Sequence, residues 1–261
     1  MSRTLQRVLA TGSAAVVLAA SVGAGAALAA PASFDPAAAA PPAVADADRC
    51  ASAREAAREE PTVANLQAVG RCEIDRRLDT LAKLQKVVDA SKALTDAHEA
   101  ALDGILVSTT SGLTKLRAEI DATTTVEGLR EAIRRIFEDF RVYVLVSRQV
   151  RLVVADDVVL AAANRAETAA SRVEQAIKAA EAAGRDVAAA RAHLAAMKAA
   201  IDGAKLAVEG DASAVLDLTP VAWNAGGAKP ILDDARSSVA KARASLRTAV
   251  REARSALADL R

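Results

Sequence analysis

Apolar residues recur three or four positions apart along most of this chain, the spacing that places them on one face of an α-helix. Between 63 and 88 they fall at Leu66, Val69, Ile74, Leu78, Leu81, Leu84 and Val88. Residues 91–94 interrupt that stripe, and Thr95 is placed to cap a second helix carrying Leu102, Ile105, Leu106, Leu113, Leu116 and Ile120. Gly104, Ser108 and Gly112 lie four apart on it, which predicts close approach of a neighbour. After a Thr-rich turn, Thr124 and Glu127 stand at capping-box spacing. Farther on, a helix stops at Gly184, and Asp186 can start the next, with Val187, Ala190, Leu194, Met197, Ile201, Ala204 and Val208 as its stripe. The last helix shows Leu232, Ala235, Val239, Ala242, Leu246, Ala249, Ala253, Leu257 and Leu260.

One stretch fits two patterns. Leu129, Ile133, Ile136, Phe137 and Phe140 continue a helical face, whereas Val142, Val144, Val146, Val150, Leu152 and Val154 alternate as in a strand. No Gly, Pro or Asn marks a hairpin turn there, and an isolated two-stranded hairpin is marginal. The reading adopted for 142–154 is therefore buried helix with a kink near Ser147, with strand as the alternative. The expected fold class is all-α: an elongated antiparallel helical bundle or coiled coil of about six to seven helices.

The N-terminus changes the setting. Arg3 and Arg7 precede an uncharged run ending Ala27-Leu28-Ala29, the plan of a secretory signal with an A-x-A cleavage site. Its Ala and Gly content favours cleavage after Ala29 over retention as a membrane anchor. Residues 30–45, rich in Ala and Pro, read as a disordered tether. The rest divides into an N-terminal bundle over 46–147 and a C-terminal three-helix coiled coil over 148–261.

Export also gives meaning to the only cysteines, Cys50 and Cys72. Pro61 stands midway between them, within a break at Glu59-Glu60-Pro61-Thr62. Two helices folding back about Pro61 place the cysteines opposite each other, so a structural disulfide is expected. A redox or metal pair lacks the C-x-x-C spacing or clustered His it would need.

Composition narrows the partners. Ala is the commonest residue, and aromatics make up only 2% of the chain, so long, closely packed helices with thin cores are expected. There are 34 basic against 33 acidic residues, and loss of Arg3 and Arg7 with the signal leaves 32 basic. A near-neutral chain with few aromatics argues against nucleic-acid binding.

Several runs carry a resemblance: Arg76-Arg77-Leu78-Asp79-Thr80-Leu81, Leu94-Thr95-Asp96-Ala97-His98, residues 139–146, Leu218-Thr219-Pro220-Val221-Ala222-Trp223-Asn224 and Leu232-Asp233-Asp234-Ala235-Arg236. Over most of 47–261 the chain resembles a family of exported, Ala-rich helical proteins from actinobacteria and related bacteria, hypothetical proteins without an assigned activity. The resemblance implies export and helical architecture and supplies no catalytic residues. Family members often carry Pro-Lys where this chain has Ser147-Arg148, so the resemblance does not fix a kink there.

No catalytic, cofactor or metal-binding residues emerge. His98 and His193 read as helix-surface or interface residues, and G-x-S-x-G, phosphate loops and calcium-loop spacing are absent. Carboxylates such as Asp156-Asp157 and Asp233-Asp234 read as parts of solvated faces. Two features stand out: Phe137, Phe140 and Tyr143 followed by Arg148 and Arg151, and the sole Trp223. The first reads as a core aromatic cluster or, more sharply, a recognition patch; Trp223 reads as a plug for the bundle or an exposed anchor. The expected function is a non-enzymatic, extracytoplasmic scaffold or binding module for a protein or cell-envelope component. It has no integral membrane span after signal cleavage, and an oligomer is compatible with it. The alternative is a holdase chaperone or a carrier of lipid or another apolar ligand.

Overall fold

The computed structural model describes residues 48–261; the expected signal (1–29) and tether (30–45) lie outside the described residues. The described chain is an all-α bundle, with no strand among these residues. A 3-10 turn at Asp48–Cys50 leads into α1 (Ala51–Glu59), followed by α2 (Val63–Ala90), α3 (Asp96–Ala122) and α4 (Val126–Glu138). A π-helical segment, Val142–Val146, runs directly into α5 (Ser147–Ala182), and α6 (Ala188–Ala207) returns. Two short helices, α7 (Asp211–Leu216) and α8 (Pro220–Asn224), lead to α9 (Ala228–Ala258).

Local sequence sets these boundaries. Thr62 caps α2 by accepting the Asn65 N–H, and the Asn65 side chain donates to the carbonyls of Ala56 and Glu60, clamping the turn at Pro61. The α1–α2 hairpin is closed by the Cys50–Cys72 disulfide, with Cα atoms 5.8 Å apart. Thr95 caps α3 through the His98 N–H, as expected. The cap of α4 falls one residue later than the sequence suggests: Thr125, not Thr124, accepts the Gly128 N–H. Gly184, at φ +77°, ends α5 in the left-handed conformation that glycine tolerates.

The period-two valines of 142–154 are helical. The break lies upstream of Ser147, at Arg141, whose φ of 43° and ψ of 35° turn the chain between α4 and the π segment. Arg141 Nε donates to Asn224 Oδ1, while Asn224 Nδ2 donates to the Glu138 carbonyl, so α8 braces this left-handed turn. Val142, Leu145, Val146, Val150, Val153 and Val154 then fall inward because a π turn followed by an α-helix gathers both parities of the run onto one side.

Packing is continuous along α5. Its first turns join a large cluster with Leu81, Leu102, Leu113, Ile136, Val215 and Leu232. Ala155 and Val159 next meet Ala204, Val208, Val239 and Ala242. Ala163 to Ala180 complete a core with Leu194, Met197, Ile201, Ala249 and Ala253. One apolar cluster thus crosses position 147. Of the small residues on α3, Gly112 admits the Phe140 ring, which a Cβ there would strike, while Gly104 faces open space.

In the C-terminal part α6 runs antiparallel to α5 and α9. Glu167 pairs with Lys205 at 2.7 Å, Glu174 with Lys198 at 2.8 Å and Glu181 with Arg191 at 2.5 Å, a ladder with seven-residue steps on both helices. Opening the disulfide frees α1 from α2. A Cys50→Ser, Cys72→Ser double variant is expected to lose about 3 kcal/mol in urea unfolding; unchanged stability would remove the staple from any energetic role.

Candidate functional site

An open cleft of about 440 Å³ lies beside the meeting point of α3, α5, α6 and α7. His98 contributes from the first turn of α3, Asp156 and Leu160 from α5, Lys205 and Leu206 from α6, and Ala212 and Ser213 from α7. Gly210, with φ +80°, turns the chain from α6 into α7 and so brings Asp211 toward α5.

Asp157 ties the helices together behind this cleft. Its carboxyl accepts the Thr95 N–H at 2.9 Å and lies 2.9 Å from His98 Nδ1, so one α5 side chain holds the start of α3. Asp156, its neighbour, is only 3% exposed and its Oδ1 has no hydrogen-bond partner. Burial first, then the nearby Asp211 and Asp157 carboxyls, push Asp156 up to about 7, with His98 acting in the opposite sense. Asp211 Oδ2 is also buried without a partner. Asp156 and Asp157 therefore do not sit on a solvated face, as their sequence setting suggested. Their position inside the apolar run Val153-Val154-Ala155-Asp156-Asp157-Val158-Val159 was the available signal.

The two histidines are not brought together by hydrogen bonds; each bridges two helices. His193 of α6 lies 2.8 Å from Glu252 Oε2 of α9, and its hydrogen bond holds the Glu252 carboxyl below the usual range. Ser213 lines the same cleft as His98, yet its hydroxyl makes no hydrogen bond to that ring. Among the described residues no group of three or more His, Cys, Asp or Glu is placed to hold a metal ion.

The aromatic segment packs against arginines of α2, with Phe137 still partly exposed. Arg77 lies 4.5 Å from the centre of the Phe137 ring and 5.1 Å from that of Tyr143, and Arg76 lies 5.5 Å from Tyr143. Arg77 also donates to the buried Glu73 carboxylate at 2.8 Å, which Arg54 and Arg76 approach at 3.4 Å. Phe140 faces the other way, onto Gly112 of α3. Arg148 pairs with Asp233 of α9, and burial lowers the Arg151 guanidinium. Trp223 is half-buried against the large core cluster. Sequence reasoning missed the Glu73–Arg77 pair, although both residues lie four apart on the buried stripe of α2.

No protein-family profile, curated protein or solved structure matches this chain.

Asp156 gives a signed pH prediction. Unfolded, it ionises near its ordinary 3.8; folded, it holds its proton to about 7. Its contribution to stability is thus present below about pH 4, is lost as pH rises to about 7 and is flat above. Asp156→Asn should match the parent protein at pH 4 and exceed its stability at pH 8 by up to about 4 kcal/mol in chemical denaturation. Equal differences at both pH values would contradict the shift. Trp223→Ala should destabilise by about 1–3 kcal/mol through lost burial, and an unchanged melting temperature would assign Trp223 no packing role.

Proposed function

We propose that this protein is an exported, non-enzymatic helical-bundle module that binds a component of the cell envelope. The observation that carries the binding reading is the cleft itself. It joins a buried, unpartnered acid, Asp156, to an apolar wall of Leu160, Leu206 and Val208. No hydroxyl donates to the His98 ring there, and both cysteines are closed in the disulfide, so the side chains present fit recognition better than covalent catalysis. Export is supported by the signal-like residues 1–29 and by the disulfide.

A second reading has one specific observation in its favour. Leu206 is 72% exposed on the cleft wall, an apolar surface of the kind a holdase or lipid carrier offers. One set of experiments separates the two. The mature protein, purified without reductant, is expected to bind purified envelope saturably, to copurify without extractable lipid and to leave aggregation of an unfolded client unchanged. Lipid in the extract or suppressed aggregation would favour the carrier or holdase, and no envelope binding would remove the binding-module reading.

A further inference from the structure

The three seams of the C-terminal helices carry different charge. Between α5 and α6 the acids Glu167, Glu174 and Glu181 are each matched by a base. Between α6 and α9, His193 meets Glu252 at 2.8 Å and Asp259 at 3.7 Å. These five acids are all that α5 beyond 160 and the chain from 236 to 261 contain. None is left for the third seam.

Beyond the Arg148–Asp233 pair the charged residues toward that seam are arginines. Asp233 of α9 pairs with Arg148 of α5, so the flank of α9 that carries Asp233 faces α5. Arg247 and Arg254 repeat that position at heptad intervals, and Arg236 and Arg243 stand beside it, opposite the flank marked by Glu252. On α5, Arg165 and Arg172 lie on the side away from Glu167 and Glu174, toward α9. Arg165, Arg172, Arg236, Arg247 and Arg254 are exposed, and none of them pairs with an acid among the described residues. Arg243 and Arg247 are neighbours one turn apart on α9, and burial followed by the like charge of Arg247 lowers the half-buried Arg243 guanidinium. From Arg236 to Arg254 the row extends for about 27 Å along one straight helix.

We propose that the α5–α9 seam is a docking surface for a linear phosphodiester polymer of the cell envelope, laid along the arginines of both helices. This goes beyond the cleft described above: it assigns a second, separate surface and rests on the binding-module reading only for the envelope setting. Arginine forks fit phosphate oxygens bidentately, and repeated cations in a line match repeated anions in a chain. The positions flanking the seam on α5 are Ala162, Ala169 and Ala176, which leave the guanidinium groups unobstructed. The seam has no aromatic residue for bases to stack on, which disfavours a single-stranded nucleic acid. Nor does it have a Trp or Phe to enter a lipid interface, which disfavours a membrane.

The test uses the mature, disulfide-bonded chain and poly(glycerol phosphate) as the probe, titrated over a range of salt concentrations. Saturable binding that weakens with salt is expected. Arg165→Gln, Arg172→Gln, Arg247→Gln, Arg254→Gln together should weaken it at least about tenfold and reduce the log–log salt slope by about 2 to 3. The same four positions changed to Lys should retain part of the affinity. A control with the same charge change elsewhere, at Arg58, Lys86, Lys92 and Lys115, all exposed, should bind like the parent. Circular dichroism melts confirm that each variant is folded. The proposal is overturned by no binding to the polymer, by equal loss in the control, by tighter binding to single-stranded DNA, or by preference for phosphatidylglycerol–phosphatidylcholine vesicles. Envelope binding that survives the four seam substitutions would sink the seam and leave the binding reading standing. Absence of both would sink the two together.

Discussion

Helix α5 is the element on which the other packing depends. Its first turns are buried with valines against the N-terminal helices, its middle meets α6 and α9 through Ala155 and Val159, and its second half places Ala163, Ala170 and Ala180 beside Val173 and Ile177 inside the coil. A rigid 36-residue helix cannot satisfy these three environments independently. The tilt fixed at the valine end sets where the alanines fall, and small alanine side chains tolerate only close approach of the neighbouring backbones. The π segment and the left-handed Arg141 feed into the start of this helix, so the turn before it fixes its direction.

Buried charge gathers where that helix is most enclosed. Asp157 gains two partners from α3, and its cost of burial is offset by holding a helix terminus in place. Asp156 gains none and answers by keeping its proton to about 7. On α2, Glu73 draws Arg54, Arg76 and Arg77 into a cationic surplus that the rings of Phe137 and Tyr143 cover. Ion pairs and ring contacts thus hold the Glu73 cluster together, although Arg76 Nε and the Tyr143 hydroxyl are buried without hydrogen-bond partners. The coil beyond residue 160 instead pairs its acids across the α5–α6 and α6–α9 seams.

Much of the fold was legible because helical periodicity and caps are local. The stripes of α2, α3, α6 and α9, the break at Pro61, the Thr95 cap and the Gly184 stop follow from short-range rules. The Cys50–Cys72 bridge was legible because a hairpin about Pro61 makes sequence symmetry a spatial one. The π segment was not: alternating valines satisfy a strand pattern and a π-to-α transition equally, and the contacts that favour the helix, the core around Val142, Leu145 and Val146 and the brace from Asn224, come from far along the chain. The cleft was hidden for a related reason. His98, Asp156 and Ser213 are remote in sequence, and a charged pair inside a valine run reads as a face until a third helix covers it. Chain proximity grouped the aromatics, and the structure places Phe137 and Tyr143 beside Arg77, Phe140 on Gly112, and leaves Phe137 partly exposed.

A helix shared by both ends of the molecule couples their unfolding. Trp223 is the only tryptophan and packs on the large cluster, so its fluorescence reports that end alone, whereas far-UV circular dichroism reports all helices. The most direct measurement is to follow one urea titration of the mature protein by both signals. A continuous α5 predicts superimposable transitions with a single midpoint. Fluorescence and dichroism transitions with separate midpoints would contradict it, making the alanine coil and the valine-rich core independent units joined by a helix that carries no coupling.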